Sequence, residues 1–340
     1  MKQEIRIQEL EEELEAEEEE SASRTVFKWF FRNIKFLLIP ASRLKELTIR
    51  EREYEKSVSK RSFLKRLKST LTILGIILVI FVITLAVFGP WISPYTFREA
   101  RAVYGVHWSE PSPAHPLGTG NMGRDVYARI IFGARASLTM ALPAIGISLA
   151  FGVLFGVLAG YVGGWLDTLI MRIFDVLLAF PALIFAIVMV SIFQESDLPI
   201  LMVIIMAYGI LGVPYYSRLI RGNVLQAREL PYVQAARVSG AKNWRIMFRH
   251  ILPNTIQPII ISVTLDIGGV ILSFAGLAFL GYSDPTLIEW GRDISDARGY
   301  ILIAPWASLW PGVMIVITVL GFMLVGDGLR DALDPRLKNL

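Results

Sequence analysis

Six runs of mostly apolar residues divide this chain. They lie at about 70–92, 138–162, 170–193, 198–220, 255–281 and 303–327. A helix of roughly 20 apolar residues crosses a hydrocarbon core about 30 Å thick, so each run is long enough to span a membrane. The polar turn at 194–197 is short, but the combined length of the runs beside it requires a hairpin. The pattern predicts an all-α polytopic membrane protein with six transmembrane helices.

Composition agrees with this prediction. Of the 340 residues, 54% are hydrophobic, and the mean hydropathy is +0.52, a value that soluble proteins rarely reach. The absence of cysteine excludes disulfides, thiolate metal sites and cysteine nucleophiles. His107, His115 and His250 are scattered without the spacing of metal ligands, so we expect no metal site.

The sequence contains no motif for catalysis. No Gly-Lys pair occurs, which excludes a P-loop, and neither Gly-x-Ser-x-Gly nor His-Glu-x-x-His is present. We therefore expect that the chain is not an enzyme and has no cofactor of its own. If ATP and magnesium drive it, partner subunits bind them. Nothing indicates a nucleic-acid partner.

Basic residues predict the orientation, because they concentrate in cytoplasmic segments. They precede the first span, fill the segment between the fourth and fifth spans, and recur in the tail: Lys60, Arg61, Lys65, Arg66, Lys68; Arg221, Arg228, Arg237, Lys242, Arg245, Arg249; Arg330, Arg336, Lys338. With six spans these segments share one side, so we expect both termini in the cytoplasm. The segment 93–136 carries five arginines on the opposite side, where its length weakens the rule.

Residues 1–69 are predicted to form a cytoplasmic extension of a membrane domain at 70–340. Ten of the first 20 residues are glutamate, which indicates a solvated helix or a disordered head. Residues 26–39 are apolar and aromatic, with Lys28, Arg32 and Lys35 among them. This segment is too short and too charged to span, so it indicates an amphipathic helix on the inner leaflet, in contact with lipid. The alternative is a soluble helix packed on a partner subunit.

The hydrophilic segment 229–254 has the pattern of two short helices. Pro231 suits the first turn of a helix, and Gly240 suits the left-handed residue that ends one. A second helix follows, closed by Pro253, with one apolar face formed by Trp244, Met247, Phe248 and Ile251. A compact basic protrusion of this kind indicates a docking surface for another protein.

This segment resembles the EAA loop of binding-protein-dependent ABC importer permeases. The family pattern is Glu-Ala-Ala, three residues, Gly, nine residues, Ile, any residue, Leu-Pro. The matching positions are Ala235, Ala236, Gly240, Leu252 and Pro253. Gln234 replaces the glutamate and His250 replaces the isoleucine, and Arg237 follows the alanine pair. The glutamine keeps hydrogen-bonding capacity but loses the charge of the family residue.

Further motifs resemble the C-type permease subunit of the dipeptide, oligopeptide and nickel importers. They are His115-Pro116-Leu117-Gly118-Thr119, Gly123-Arg124-Asp125, Trp290-Gly291, Ala304-Pro305-Trp306, and the tail from Gly326 to Arg336. Together they cover about 70–337. After the first of them, Val126, Ile130, Ile131 and Ala134 form an apolar stripe that predicts an external amphipathic helix before the second span.

The resemblance implies a type I ABC importer permease fold and a multi-pass location in a prokaryotic inner or plasma membrane. It implies a heterodimer with a second homologous permease, two cytoplasmic ABC ATPases and an extracytoplasmic substrate-binding protein. The expected function is to form half of the translocation path for peptides and to couple it to the ATPases through the 229–254 loop. Oligosaccharides or nickel are alternative substrates. A channel or a membrane-embedded enzyme is a distant alternative.

Within the spans, a few residues stand out. Gly152, Gly156, Gly160 and Gly164 recur every four residues and predict a close helix contact. An ionised aspartate at a helix centre costs about 2.5–3.5 kcal/mol, so Asp266 is expected to line the translocation path or to bond across a helix interface. Asp175 is expected to pair locally with Arg172.

Overall fold

A computed structural model describes residues 67–102 and 105–333 of the chain. They lie in a compact unit that covers residues 64–340. Helices and an isolated bridge between Thr119 and Asp125 form the regular structure of the described part. The acidic head and the amphipathic segment at 26–39 lie outside the described residues, and their expected structures stay predictions.

Twelve helices are numbered here in chain order. They are α1 (Thr70–Ile92), α2 (Phe97–Arg101), α3 (Val126–Val162), α4 (Gly164–Leu178), α5 (Ala182–Phe193), α6 (Ile200–Ala227), α7 (Pro231–Val238), α8 (Asn243–Arg245), α9 (Leu252–Thr255), α10 (Gln257–Phe279), α11 (Trp290–Ala297) and α12 (Pro305–Leu333). A π-helical turn at Ile246–Ile251 joins α8 to α9, and short 3₁₀ turns occur at Asn121–Gly123 and Arg298–Tyr300.

The predicted spans are confirmed with one correction. Helices α1, α3, α6, α10 and α12 are long and apolar enough to cross a membrane. The third predicted span, 170–193, is wrong as a single straight helix, since α4 and α5 meet at a bend of 83°. Pro181 lies at this bend, where it cannot donate a backbone hydrogen bond and restricts the residue before it. The predicted hairpin between α5 and α6 is present.

The glycine stripe of α3 packs against α6, as predicted. A Cβ atom added at Gly156 would lie 2.6 Å from the Ser217 carbonyl oxygen, and one at Gly160 would lie 2.9 Å from Val224 Cβ. Gly152 faces α6 in the same way. Gly164 does not join this contact, because α3 ends before it and a Cβ there would meet nothing within 4 Å.

The bundle of spanning helices has two ends. We call the end that carries the segment 229–254 the loop end, and the opposite end the far end. At the loop end, Tyr161 at the close of α3 donates a hydrogen bond to Asn243 Oδ1 at 2.9 Å. At the far end, Trp306 at the start of α12 donates to the carbonyl oxygen of Thr119 at 3.1 Å. Alternation of the spans places the end of α1 and the start of α3 at the far end.

The helix predicted before the second span is continuous with it. Asp125 caps α3 by accepting a hydrogen bond from the Ala128 N–H at 2.6 Å, and the predicted apolar stripe from Val126 to Ala134 is buried. The His115 ring nitrogen Nδ1 lies 2.9 Å from the other Asp125 oxygen. The helix α3 therefore extends about three turns beyond the predicted boundary at 138.

Ion pairs fasten α4 to α6. Both Asp167 oxygens accept hydrogen bonds from Arg221, at 2.6 and 2.7 Å. Asp175 pairs with Arg218 at 2.5 Å, so its predicted local pairing with Arg172 is wrong. Arg218 is 43 residues away in sequence, and only the packing of α4 beside α6 brings the two side chains together.

Candidate functional site

The first helix of the 229–255 segment forms as predicted. Pro231 occupies the first turn of α7, where its missing N–H removes no helical hydrogen bond. Val233 is fully buried and anchors the helix, while Ala236 is partly buried and Ala235 is exposed. The side-chain amide of Gln234 donates to the Glu229 carbonyl oxygen at 3.1 Å. A glutamate at this position would lack that donor when ionised.

A left-handed turn at Gly240 ends α7. The Gly240 N–H donates to the Arg237 carbonyl at 3.0 Å, and the Ala241 N–H donates to the Ala236 carbonyl at 3.1 Å, which is the Schellman pattern. The φ angle of Gly240 is +77°, and a Cβ there would meet nothing within 4 Å. Glycine is therefore favoured at this position by backbone conformation and not by space.

The second helix departs from the prediction at its proline. It runs from Asn243 to Thr255 and contains a π turn, in which the Leu252 N–H donates to the Met247 carbonyl. Pro253 does not close it but lies in the first turn of α9, directly after the π turn. Proline cannot donate to the preceding helical turn, and an altered bonding pattern there is a known accommodation. The Asn254 amide instead donates to the His250 carbonyl at 2.7 Å.

The buried face of this helix also differs from the predicted one. Ile246, Met247 and Ile251 are buried, whereas Trp244 is 61% exposed. The extra residue of the π turn shifts the register, so the spacing i, i+3, i+4, i+7 no longer marks a single buried stripe. The Trp244 ring lies against the half-buried Phe248 ring, with 4.0 Å between the centroids.

The segment is joined to three spans. Its buried side chains form one apolar cluster with residues of α3, α6 and α10, whose members include Val157, Ile220, Val224, Val233, Ile246, Ile251 and Ile259. Polar contacts reinforce this attachment. Tyr161 bonds Asn243, and the Arg228 Nη1 group donates to the Gly160 carbonyl oxygen at 3.0 Å. A displacement of this segment would therefore displace the spans that it contacts.

The outer surface of the segment is apolar and basic. Val238 is 90% exposed, and Trp244 and Tyr232 are also exposed. No acidic residue occurs from 230 to 256, and the exposed basic residues are Arg237, Lys242, Arg245 and Arg249. Within the described ranges none of these four forms an ion pair. Exposed apolar side chains ringed by unpaired cations are typical of a surface that another protein covers.

Comparison with known proteins identifies the chain. Residues 152–339 match the family model described as the binding-protein-dependent transport system inner membrane component. The chain belongs to this permease family. Residues 60–104 of the permease match a second model, the N-terminal TM domain of oligopeptide transport permease C. The predicted family is therefore confirmed.

Curated relatives agree with this result. The Dipeptide transport system permease protein DppC of Alkalihalophilus pseudofirmus is 42% identical over 281 residues, which cover 82% of this chain and 90% of the relative. The Glutathione transport system permease protein GsiD of Pectobacterium atrosepticum is 39% identical over 82% of this chain and 92% of the relative. The same-named protein of Escherichia coli is 42% identical over 77% of this chain and 85% of the relative.

A solved structure is similar to part of the chain. A crystal structure of an amino acid ABC transporter with histidines is similar over 59% of this chain and 92% of that chain, at 15% identity and a TM-score of 0.48. From the family and the relatives, the chain is a C-type membrane subunit of a binding-protein-dependent ABC importer, a multi-pass membrane permease.

Asp266 lies inside the permease at a helix interface. Its carboxylate accepts a hydrogen bond from the Tyr216 hydroxyl at 2.7 Å, which joins α10 to α6. The side chain is half-buried. Of the two predicted environments, the structure shows this contact across the interface, and a position on the translocation path stays a prediction.

Several residues that attach the segment to the spans were not identified from the sequence. Tyr161 and Asn243 are 82 residues apart, and Arg228 and Gly160 are 68 apart. Neither pair has a local motif that could reveal it. Val233, the buried anchor of α7, was not singled out from the sequence either, since its packing partners lie on other helices.

Proposed function

We propose that this permease forms half of the translocation path of a peptide importer and receives an ABC ATPase on its 229–254 loop. The observation that carries the proposal is the placement of Val238 and Trp244. Both are exposed on a segment whose opposite face is packed into three spans. A protein bound to this outer face is connected by continuous packing to α3, α6 and α10.

The proposed partners follow from the family. A second homologous permease completes the path, two ATPases bind ATP and magnesium, and an extracytoplasmic binding protein delivers substrate. This chain hydrolyses nothing itself. The membrane is a prokaryotic inner or plasma membrane, and the loop end and both termini face the cytoplasm. The basic outer face of the loop supports that orientation, because basic segments are retained in the cytoplasm.

The proposed mechanism is alternating access. ATP binding closes the ATPase pair, and the 229–254 loop carries that displacement into α6 and α10. The joint is stiff at three places: the Schellman turn at Gly240, the bond from Tyr161 to Asn243, and the buried pair Ile246 and Ile251. A loose joint would absorb the displacement before it reached the spans.

A matched pair of substitutions tests the docking surface. Val238→Asp places a charge on the proposed interface, so we expect the ATPase subunits to be lost when the permease is purified from membranes. Val106→Asp makes the same change at a valine that is 75% exposed outside the loop, and it should leave their recovery unchanged. Equal recovery of the ATPases with both variants would contradict docking at Val238.

Peptides are the proposed substrate. The support is that similar permeases are named for dipeptide and glutathione transport. Oligosaccharides and nickel are the other candidates from the wider family. Binding measurements on the cognate binding protein should show affinity for short peptides and none for an oligosaccharide or nickel. Preferential binding of either of the latter would replace the peptide assignment without affecting the docking surface.

A further inference from the structure

A cavity of about 470 Å³ opens at the far end between α2, the start of α3 and the segment before α11. Five arginines line it: Arg98, Arg101, Arg124, Arg129 and Arg292. The remaining lining residues are Phe97, Ala102, Pro285 and Leu287, so the lining contains no acidic side chain. Such an arrangement concentrates positive potential inside the cavity.

Only one of these arginines forms an ion pair within the described residues. Arg129 is buried and bonds Asp293 Oδ1 through Nε at 2.7 Å and through Nη2 at 2.5 Å. The other four arginines form no ion pair in the described part of the chain. The Nε of Arg124 is buried without a hydrogen-bond partner. Burial, together with the nearby Arg129, lowers the pKa of Arg124 against the opposing effect of Asp293 and Asp296. Arginines without an ion-pair partner favour binding of a phosphate or carboxylate, whose oxygens accept hydrogen bonds from the paired guanidinium N–H groups.

An apolar groove of about 190 Å³ adjoins the cavity. The two share the lining residues Phe97 and Leu287 and therefore lie side by side, and we refer to them together as the depression. The groove continues along α3, and the rest of its lining is Phe132, Arg135, Ala136, Thr139 and Ile288. It therefore offers hydrocarbon contact directly beside the cationic cavity.

Packing against α1 fixes the level of this depression in the membrane. Helix α1 has 23 residues and a length of about 34 Å, just enough to cross the hydrocarbon core. Gly89, near its far end, packs against Ile131, since a Cβ there would lie 3.0 Å from Ile131 Cγ2. Trp91 is 79% exposed, as is typical of an aromatic residue at the membrane surface. Arg129 thus lies at headgroup level, and Ala136 and Thr139 lie about two to three turns deeper.

We propose that this depression binds an anionic phospholipid of the leaflet opposite the 229–254 loop. The phosphate lies among the four unpaired arginines, and one acyl chain follows the groove along α3. A free phosphate or a carboxylate would satisfy the arginines but leave the groove empty. An acidic surface of another protein would likewise leave the apolar groove along α3 unoccupied.

The test uses the full-length chain in its purified importer complex. The complex is titrated with phosphatidylglycerol, phosphatidylcholine or inorganic phosphate, and bound lipid is counted by native mass spectrometry. The double substitution Arg98→Gln with Arg101→Gln should lower the affinity for phosphatidylglycerol by about 25-fold, or about fivefold per arginine. The control Arg298→Gln removes an exposed far-end arginine outside the cavity and should change nothing.

A second variant separates a lipid from a free anion. Thr139→Trp fills the groove with bulk at an exposed position, so it should lower phosphatidylglycerol affinity and leave phosphate binding unaltered. If Thr139→Trp has no effect while the double arginine variant weakens phosphate binding, the site takes a free anion and the lipid assignment is wrong. If the arginine variant instead lowers only the affinity for the binding protein, the cavity is a protein contact, which also overturns it.

Discussion

Gly240 is the residue at which the proposed coupling through the loop can be tested most directly. Its left-handed φ of +77° is strained for other residues by about 1–2 kcal/mol, and most strongly for a β-branched one. Gly240→Val should therefore distort the turn between α7 and α8 while the permease still assembles in the membrane. We expect substrate uptake to be lost while membrane abundance is retained. Uptake and substrate-stimulated ATP hydrolysis in proteoliposomes measure this directly.

The control for this prediction is Gly240→Asn, because asparagine tolerates the left-handed region. It should retain most of the uptake. Normal coupled transport by Gly240→Val would show that the loop does not depend on this turn. Loss of transport in both variants would mean that position 240 tolerates no side chain at all, although a Cβ there would meet no atom within 4 Å.

Glu289 is a buried acid whose protonation should affect stability. It is 4% exposed, its Oε1 has no hydrogen-bond partner, and burial together with the Asp284 carboxylate raises its pKa to about 8. The folded protein keeps this proton up to about pH 8, whereas an unfolded chain releases it near pH 4.5. The free energy of unfolding should therefore fall as pH rises between these values and stay level above pH 8.

Glu289→Gln removes this dependence, because glutamine stays neutral. Its melting temperature should match that of the unsubstituted protein near pH 5 and exceed it at pH 8 and above. Thermal unfolding in detergent across this range measures the difference. The exposed Glu110→Gln should give no such divergence. A parallel pH profile for Glu289→Gln and the unsubstituted protein would rule out the buried proton.

At the scale of helices, hydropathy predicted the spans well and their interruptions poorly. The part of the third run from 176 to 193 contains no charged residue, so its hydropathy concealed the bend at Pro181. The π turn before Pro253 was concealed in the same way, because a regular period of 3.6 residues was assumed throughout. Motif spacing located the loop. Its buried face is determined by packing against α3, α6 and α10, and local spacing contains no information about these distant helices.

The contact between α3 and α6 gives a direct test of this packing. A side chain at Gly156 would meet the backbone of Ser217, which cannot move aside. Gly156→Leu should separate the two helices and lower stability by about 1–3 kcal/mol, the usual range for overpacking. Gly146→Leu on the same helix is the control, since a Cβ there meets nothing within 4 Å. Equal melting temperatures for the two variants would mean that the close contact contributes little.

For the molecule as a whole, the family and the all-helical membrane fold could be predicted from sequence, but the connections between distant segments could not. The EAA-like spacing and the C-type motifs were sufficient to predict an importer permease. The five arginines of segment 93–136 disagreed with the rule that basic residues concentrate in cytoplasmic segments. In the fold, four of those five lie around one cavity with Arg292, which is 157 positions beyond Arg135 in sequence and comes from a different loop.

In the proposed mechanism the continuous helix α3 would act as a lever. Its 37 residues extend about 55 Å, from the joint with Asn243 to the pairing of Arg129 with Asp293. Because its glycines pack it directly against α6 near the loop end, the two helices would move together in the proposed mechanism. A tilt of about 10° about the loop end would sweep the opposite tip through about 10 Å. A small displacement at the proposed ATPase contact would then become a larger one at the far end, at reduced force.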